Sequence, residues 1–130
     1  MADVATGTSR ASGQNIRLIR WLTLVNLVLV ALQPISAGFF LSGFGRALPA
    51  HAAGGLALQL GLLVQAGAAV VQWRRQRLPA WVAAVSAGLL AAVVLQNAFG
   101  HNKVFWLHVP VGVALVGALN GQRSRINACR

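Results

Sequence analysis

Four long apolar runs cover about residues 20–44, 51–73, 78–99 and 104–120, and short polar or basic stretches separate them. Arg17 and Arg20 lead into the first run, and "RRQR" at Arg74 to Arg77 stops the second. Pro79 opens the third at a position that suits a first helical turn, and "NGQRSR" follows the fourth. Runs of about 20 apolar residues match the hydrocarbon thickness of a bilayer when helical. The fourth is short by that measure and is expected to continue as a helix toward the C-terminus. The pattern predicts an all-α membrane protein, a four-transmembrane-helix up-down bundle with short loops. Residues 16–122 would form the bundle, 1–15 a disordered Ser/Thr/Gly/Ala-rich tail, and 123–130 a basic tail.

Composition strengthens this reading. Only 9% of the 130 residues are charged and 57% are hydrophobic, whereas soluble domains carry about 25% charge. The net charge of +10 does not point to nucleic acid, because the basic residues sit at the ends of apolar runs rather than along one face. With the N-terminus inside, Arg10, Arg17, Arg20, Arg74, Arg75, Arg77, Arg123, Arg125 and Arg130 are cytoplasmic and only Arg46 and Lys103 lie outside. That asymmetry places both termini in the cytoplasm. A cleaved signal peptide ending near "ISAG" is the disfavoured rival, since the first run is long for a signal h-region. The single cysteine, Cys129, has no partner for an internal disulfide and no metal-ligand spacing.

The chain repeats a phrase. "HAAGGLAL" begins at His51 and "HVPVGVAL" at His108. Upstream, "VALQPISAG" in the first run matches "VVLQNAFG" in the third, so Gln33 precedes His51 as Gln96 precedes His108. The two halves would be parallel two-helix repeats about a pseudo-twofold axis along the membrane normal. Gly54, Gly61 and Ala68, spaced by seven, would let the second helix pack closely.

Polar residues inside spans are costly and invite a functional reading. A neutral imidazole in an apolar bundle is a common axial ligand for haem iron. His51 and His108, toward the outer face on different helices, are therefore candidate ligands of a b-type haem. Gly55 and Gly112 follow each histidine by four residues, on the same face, and would let a flat macrocycle approach the backbone. Gln33 and Gln96 would support the site by bonding an imidazole nitrogen, a propionate or a quinone carbonyl. Counted from Arg74 and Arg123, however, His51 and His108 differ in depth by about a dozen ångström. His101, closer to the depth of His51, is thus a reserve ligand. Gln65 and Gln72 fall near the His51 face, while Gln59 points further round. Asn26 reads as an interhelical clamp.

No Asp or Glu lies in any span, and Ser36, Ser42 and Ser86 have no base in a triad-like arrangement. A carboxylate base, a carboxylate proton carrier and a hydrolase are disfavoured, and the protein is not expected to be an enzyme by itself. A cofactor bringing its own chemistry escapes that objection.

The succession "QPISAG", "HAAGG", "VLQ" and "LHVPVG" resembles a family of small, uncharacterised four-helix bacterial integral membrane proteins, over nearly the whole chain from Arg17 to Gly121. More distantly, it is similar to one four-helix half of haem A synthase and to membrane b-type cytochromes. That resemblance implies a multi-pass protein of the bacterial cytoplasmic membrane, with His51 and His108 as haem ligands on the second and fourth helices. The acidic residues that accompany haem chemistry in haem A synthase are absent here, which favours binding over synthesis. Three readings follow. One is a haem-binding electron-transfer protein with a redox partner. Another is a non-catalytic subunit or assembly partner of a larger membrane complex. The third is a quinone- or small-molecule-binding bundle without metal. In each the lipid bilayer is the surrounding partner.

Overall fold

The computed structural model describes residues 4–128, with side chains from Ile16 onward. Asp3, Cys129 and Arg130, and the side chain of Arg10, lie outside the described residues. Four helices run up and down: α1 (Val4–Leu41), α2 (Ala47–Arg74), α3 (Ala80–His101) and α4 (Phe105–Ala128). Three of them are long and apolar enough to cross a membrane, over Ile16–Leu41, Ala47–Arg74 and Ala80–His101. In α4 the apolar run gives way to Asn120, Gln122, Arg123 and Arg125, yet the helix continues to Ala128, 24 residues in all. Large apolar side chains cover the outside of the bundle, with Trp106 76% and Val113 68% exposed.

The backbone of residues 4–15, expected as a disordered tail, extends α1. No proline interrupts this stretch, and lengthening an existing helix is far easier than nucleating a new one. Pro34, inside α1, removes one backbone donor toward Val30 without ending the helix.

All three turns are closed by the backbone in the same way. After α1, Gly43 N–H donates to Phe40 O and Phe44 N–H to Phe39 O, at 3.0 and 3.1 Å. After α2, Gln76 donates to Trp73 and Arg77 to Gln72, both at 2.9 Å. After α3, Lys103 donates to Gly100 at 3.2 Å and Val104 to Phe99 at 2.8 Å. This paired pattern is the Schellman motif, which needs one residue in the left-handed region. Gly43 takes it at φ 92°, but Gln76 and Lys103 take it at φ 57° and 59° with a side chain attached.

Each helix packs against two neighbours, α1 on α2 and α4, and α3 on α2 and α4. The pairs α1/α3 and α2/α4 are therefore diagonal. Two apolar layers fill the interior, one around Val30, Leu62, Val93 and Leu119 and one around Ile19, Ala69, Val82 and Ile126. Helices in lipid gain little from hydrophobic burial and associate through close packing and interhelical hydrogen bonds. The α1–α2 seam shows this. Gln33 lies over Gly54 and Asn26 over Gly61, and Ala68 packs on the cluster that holds Ile19. Gly54 and Gly61, seven apart, thus face Gln33 and Asn26, themselves seven apart.

Candidate functional site

His51 sits in the second turn of α2 and His108 in the first turn of α4. Both helices start at the same end of the bundle. Their rings meet across the diagonal, with centroids 6.0 Å apart and planes at 67°. The depth difference counted from the arginines is therefore not present. Arg74 ends α2, but Arg123 lies five residues before the end of α4, so the two arginines do not mark one level.

Each imidazole is anchored by the backbone. His51 Nδ1 lies 3.2 Å from Gln33 O, and His108 Nδ1 lies 2.9 Å from Gln96 O. A carbonyl cannot donate, so in a neutral imidazole these bonds put the proton on Nδ1 and leave the lone pair on Nε2. Ser36 Oγ adds a contact of 3.1 Å to His51 Nδ1 while donating to Gln33 O at 2.9 Å. The amide–imidazole bond expected from the sequence is not seen; Gln33 and Gln96 meet the histidines through their main-chain oxygens instead. The glutamine amides lie elsewhere, Gln33 over Gly54 and Gln96 over Gly112.

The glycines have the same explanation. A Cβ at Gly55 would stand 2.9 Å from Asn97 Oδ1, and one at Gly112 would stand 2.9 Å from Gln96 Nε2. The space over both, read from sequence as a place for a macrocycle, holds amide side chains. Asn97 Nδ2 donates to Gly55 O at 3.2 Å and to Gln59 Oε1 at 2.8 Å, which draws Gln59 into the site's surroundings. Gly100 on α3 makes room for His108, whose Cε1 would lie 2.8 Å from an added Cβ. His101, the reserve ligand, ends α3 and is exposed, while His51 and His108 are half-buried.

A second polar layer crosses the middle of the bundle. Asn26 Nδ2 donates to Gln65 Oε1 at 2.9 Å. Gln65 Nε2 donates to Gln122 Oε1 at 2.9 Å and to Ser86 Oγ at 3.3 Å. Gln122 Nε2 donates to Ser86 Oγ at 2.9 Å. One residue comes from each helix, and all four are at most 2% exposed. Gln122 and Asn97 do not stand out in the sequence, and Ser86 reads there only as a nucleophile without a base. Gln122 had a usable signal, since it follows His108 by 14 residues, as Gln65 follows His51.

No third His, Cys, Asp or Glu joins the two imidazoles among the described residues. A zinc site built from protein alone takes three or four ligands. Haem iron asks the protein for two axial ligands, since the macrocycle supplies the rest. Comparisons of the chain with protein-family models, curated proteins and solved structures find no match.

Proposed function

We propose that this protein is a four-span membrane protein that holds a b-type haem between His51 and His108 and passes electrons through it. The observation that carries the reading is the geometry of the two rings. Both Nδ1 atoms are committed to carbonyls, which leaves both Nε2 atoms as ligands. The rings lie 6.0 Å apart, centroid to centroid, so His51 and His108 would be the residues to hold the group. Carbonyl-anchored imidazoles are typical of metal ligands, because the bond fixes the tautomer and raises basicity. When bound, the haem supplies one-electron redox chemistry. The chain's own part is to hold two neutral imidazoles in register and to surround them with lipid-facing helices that exclude water. Gly55 and Gly112 serve the site indirectly, by seating Asn97 and Gln96 beside it.

Three finer points of architecture belong to the same proposal. The fourth helix crosses the membrane with the others, since its 24 residues reach about 36 Å. Both termini lie in the cytoplasm, as the positive-inside rule directs. The chain is also a parallel repeat of two halves. Ile19, Thr23, Asn26 and Val30 are buried on α1, and 63 positions on so are Val82, Ser86, Leu89 and Val93 of α3. Leu58, Leu62, Gln65 and Ala69 are buried on α2, and 57 positions on so are Leu115, Leu119, Gln122 and Ile126 of α4.

Absorption spectra of the protein expressed with ample haem test the proposal, oxidised and then reduced, beside His51→Ala and His108→Ala. A sharp Soret band with reduced α and β bands, lost in both variants, is the expected result. A colourless wild-type protein that also takes up no added haemin would overturn it.

A further inference from the structure

A cleft of about 240 Å³ opens between α1 and α4 at the end of the bundle opposite the histidines. It is lined by Arg17, Arg20, Trp21, Leu24, Arg123 and Asn127. Three guanidiniums on two facing helices thus share one space. Arg20 is engaged, its Nη2 donating to Ile126 O at 3.0 Å near the C-terminus of α4. That bond suits the negative end of the helix dipole. Arg123 Nη1 is shut off from solvent and has no hydrogen-bond partner among the described residues. Residues 16–128 contain no Asp or Glu at all, so no acidic side chain of the described bundle can neutralise this cluster.

A half-buried guanidinium with an unpartnered, solvent-shielded nitrogen, beside other cations, calls for an anion from outside the bundle. Guanidinium forks match the oxygens of carboxylate and phosphate. The surroundings favour phosphate on a lipid. One wall of the cleft is Trp21, 61% exposed and so open to lipid, and Leu24 lies one turn along. Exposed tryptophan at a basic helix end is the signature of the headgroup level. Basic pockets between membrane helices bind acidic headgroups. We propose that this cleft binds a phosphate oxyanion, carried by an acidic phospholipid, with Arg17 and Arg123 as its principal donors and Trp21 against the adjoining chain.

The test uses the full chain, delipidated in detergent and offered equal amounts of phosphatidylglycerol and phosphatidylcholine, with bound lipid read by native mass spectrometry. Wild type retains phosphatidylglycerol preferentially. Each of Arg17→Gln and Arg123→Gln lowers that preference about fivefold, and the double variant about 25-fold. Arg74→Gln/Arg75→Gln removes the same charge from the same end, but outside the cleft, and keeps the preference. Circular dichroism establishes that each variant retains its helices. A parallel arm titrates inorganic phosphate and follows tryptophan fluorescence. Arginine-dependent phosphate binding with no lipid preference assigns the same oxyanion site to free phosphate. If the cleft variant keeps wild-type preference and phosphate response, or the control pair abolishes both equally, there is no such site.

Discussion

Replacing Gln65 by leucine removes the hub of the central polar layer while nearly conserving volume. Gln65 makes three of the four hydrogen bonds in that layer, to Asn26, Ser86 and Gln122. Interhelical hydrogen bonds in membranes are worth about 0.6 kcal/mol on average and up to about 1.7. Three of them, with partners stranded in a fully buried position, give a loss of about 2–4 kcal/mol. Gln122 makes two bonds, to Gln65 and Ser86, so Gln122→Leu should lose about 1–3 kcal/mol. The Gln65–Gln122 bond belongs to both residues and can be lost only once. The double variant should therefore fall short of the sum of the single losses by about 1 kcal/mol. Reversible unfolding of the full chain in mixed detergent, followed by circular dichroism, measures all four corners of the cycle. Additivity to within about 0.3 kcal/mol, or a neutral Gln65→Leu, would refute the layer as an energetic unit.

Gly100→Ala places a Cβ 2.8 Å from His108 Cε1 and should destabilise by about 1–3 kcal/mol while displacing the ring, whereas Gly117→Ala, with open space around it, should be neutral or slightly stabilising; thermal unfolding separates the two. Gln33→Ala leaves the main-chain carbonyl that holds His51, so the reduced haem spectrum should match wild type even though a cavity opens over Gly54. Lys103→Gly and Gln76→Gly relieve a left-handed residue in two Schellman turns, and each should stabilise by about 1 kcal/mol in the same unfolding assay.

The number of helices, their alternation and the pairing of His51 with His108 are legible because each rests on side-chain pattern. Apolar run length marks a helix that can cross a membrane, and the His-x-x-x-Gly phrase with its upstream Leu-Gln picks out both histidines. What was illegible has definite causes. The acceptors for His51 and His108 are main-chain carbonyls, and a carbonyl is the same at every residue. The role of Gly55 depends on which side chain of α3 rotates over it, and that setting is tertiary. Gln122 lies beyond the fourth apolar run, at the very edge of the expected bundle, and Arg123 and Arg125 beside it blur where α4 ends. The same ambiguity misplaced His108 in depth.

The diagonal arrangement has a mechanical consequence. α2 and α4 are not neighbours, yet they are tied at two heights, by the His51–His108 ring contact and the Gln65–Gln122 bond. The ties stand 14 residues apart along each helix, about 21 Å. Two cross-braces on one diagonal act as a truss: either helix can slide along its axis only by breaking both. Beyond the lower brace, toward the arginines, no further side-chain hydrogen bond joins that diagonal among the described residues. Axial slippage is thus blocked over the half of the molecule that contains the histidines. At the other end α2 and α4 have no direct tie and are held only through their neighbours, by the apolar layer of Ile19, Ala69, Val82 and Ile126 and the Arg20 bond to Ile126 O.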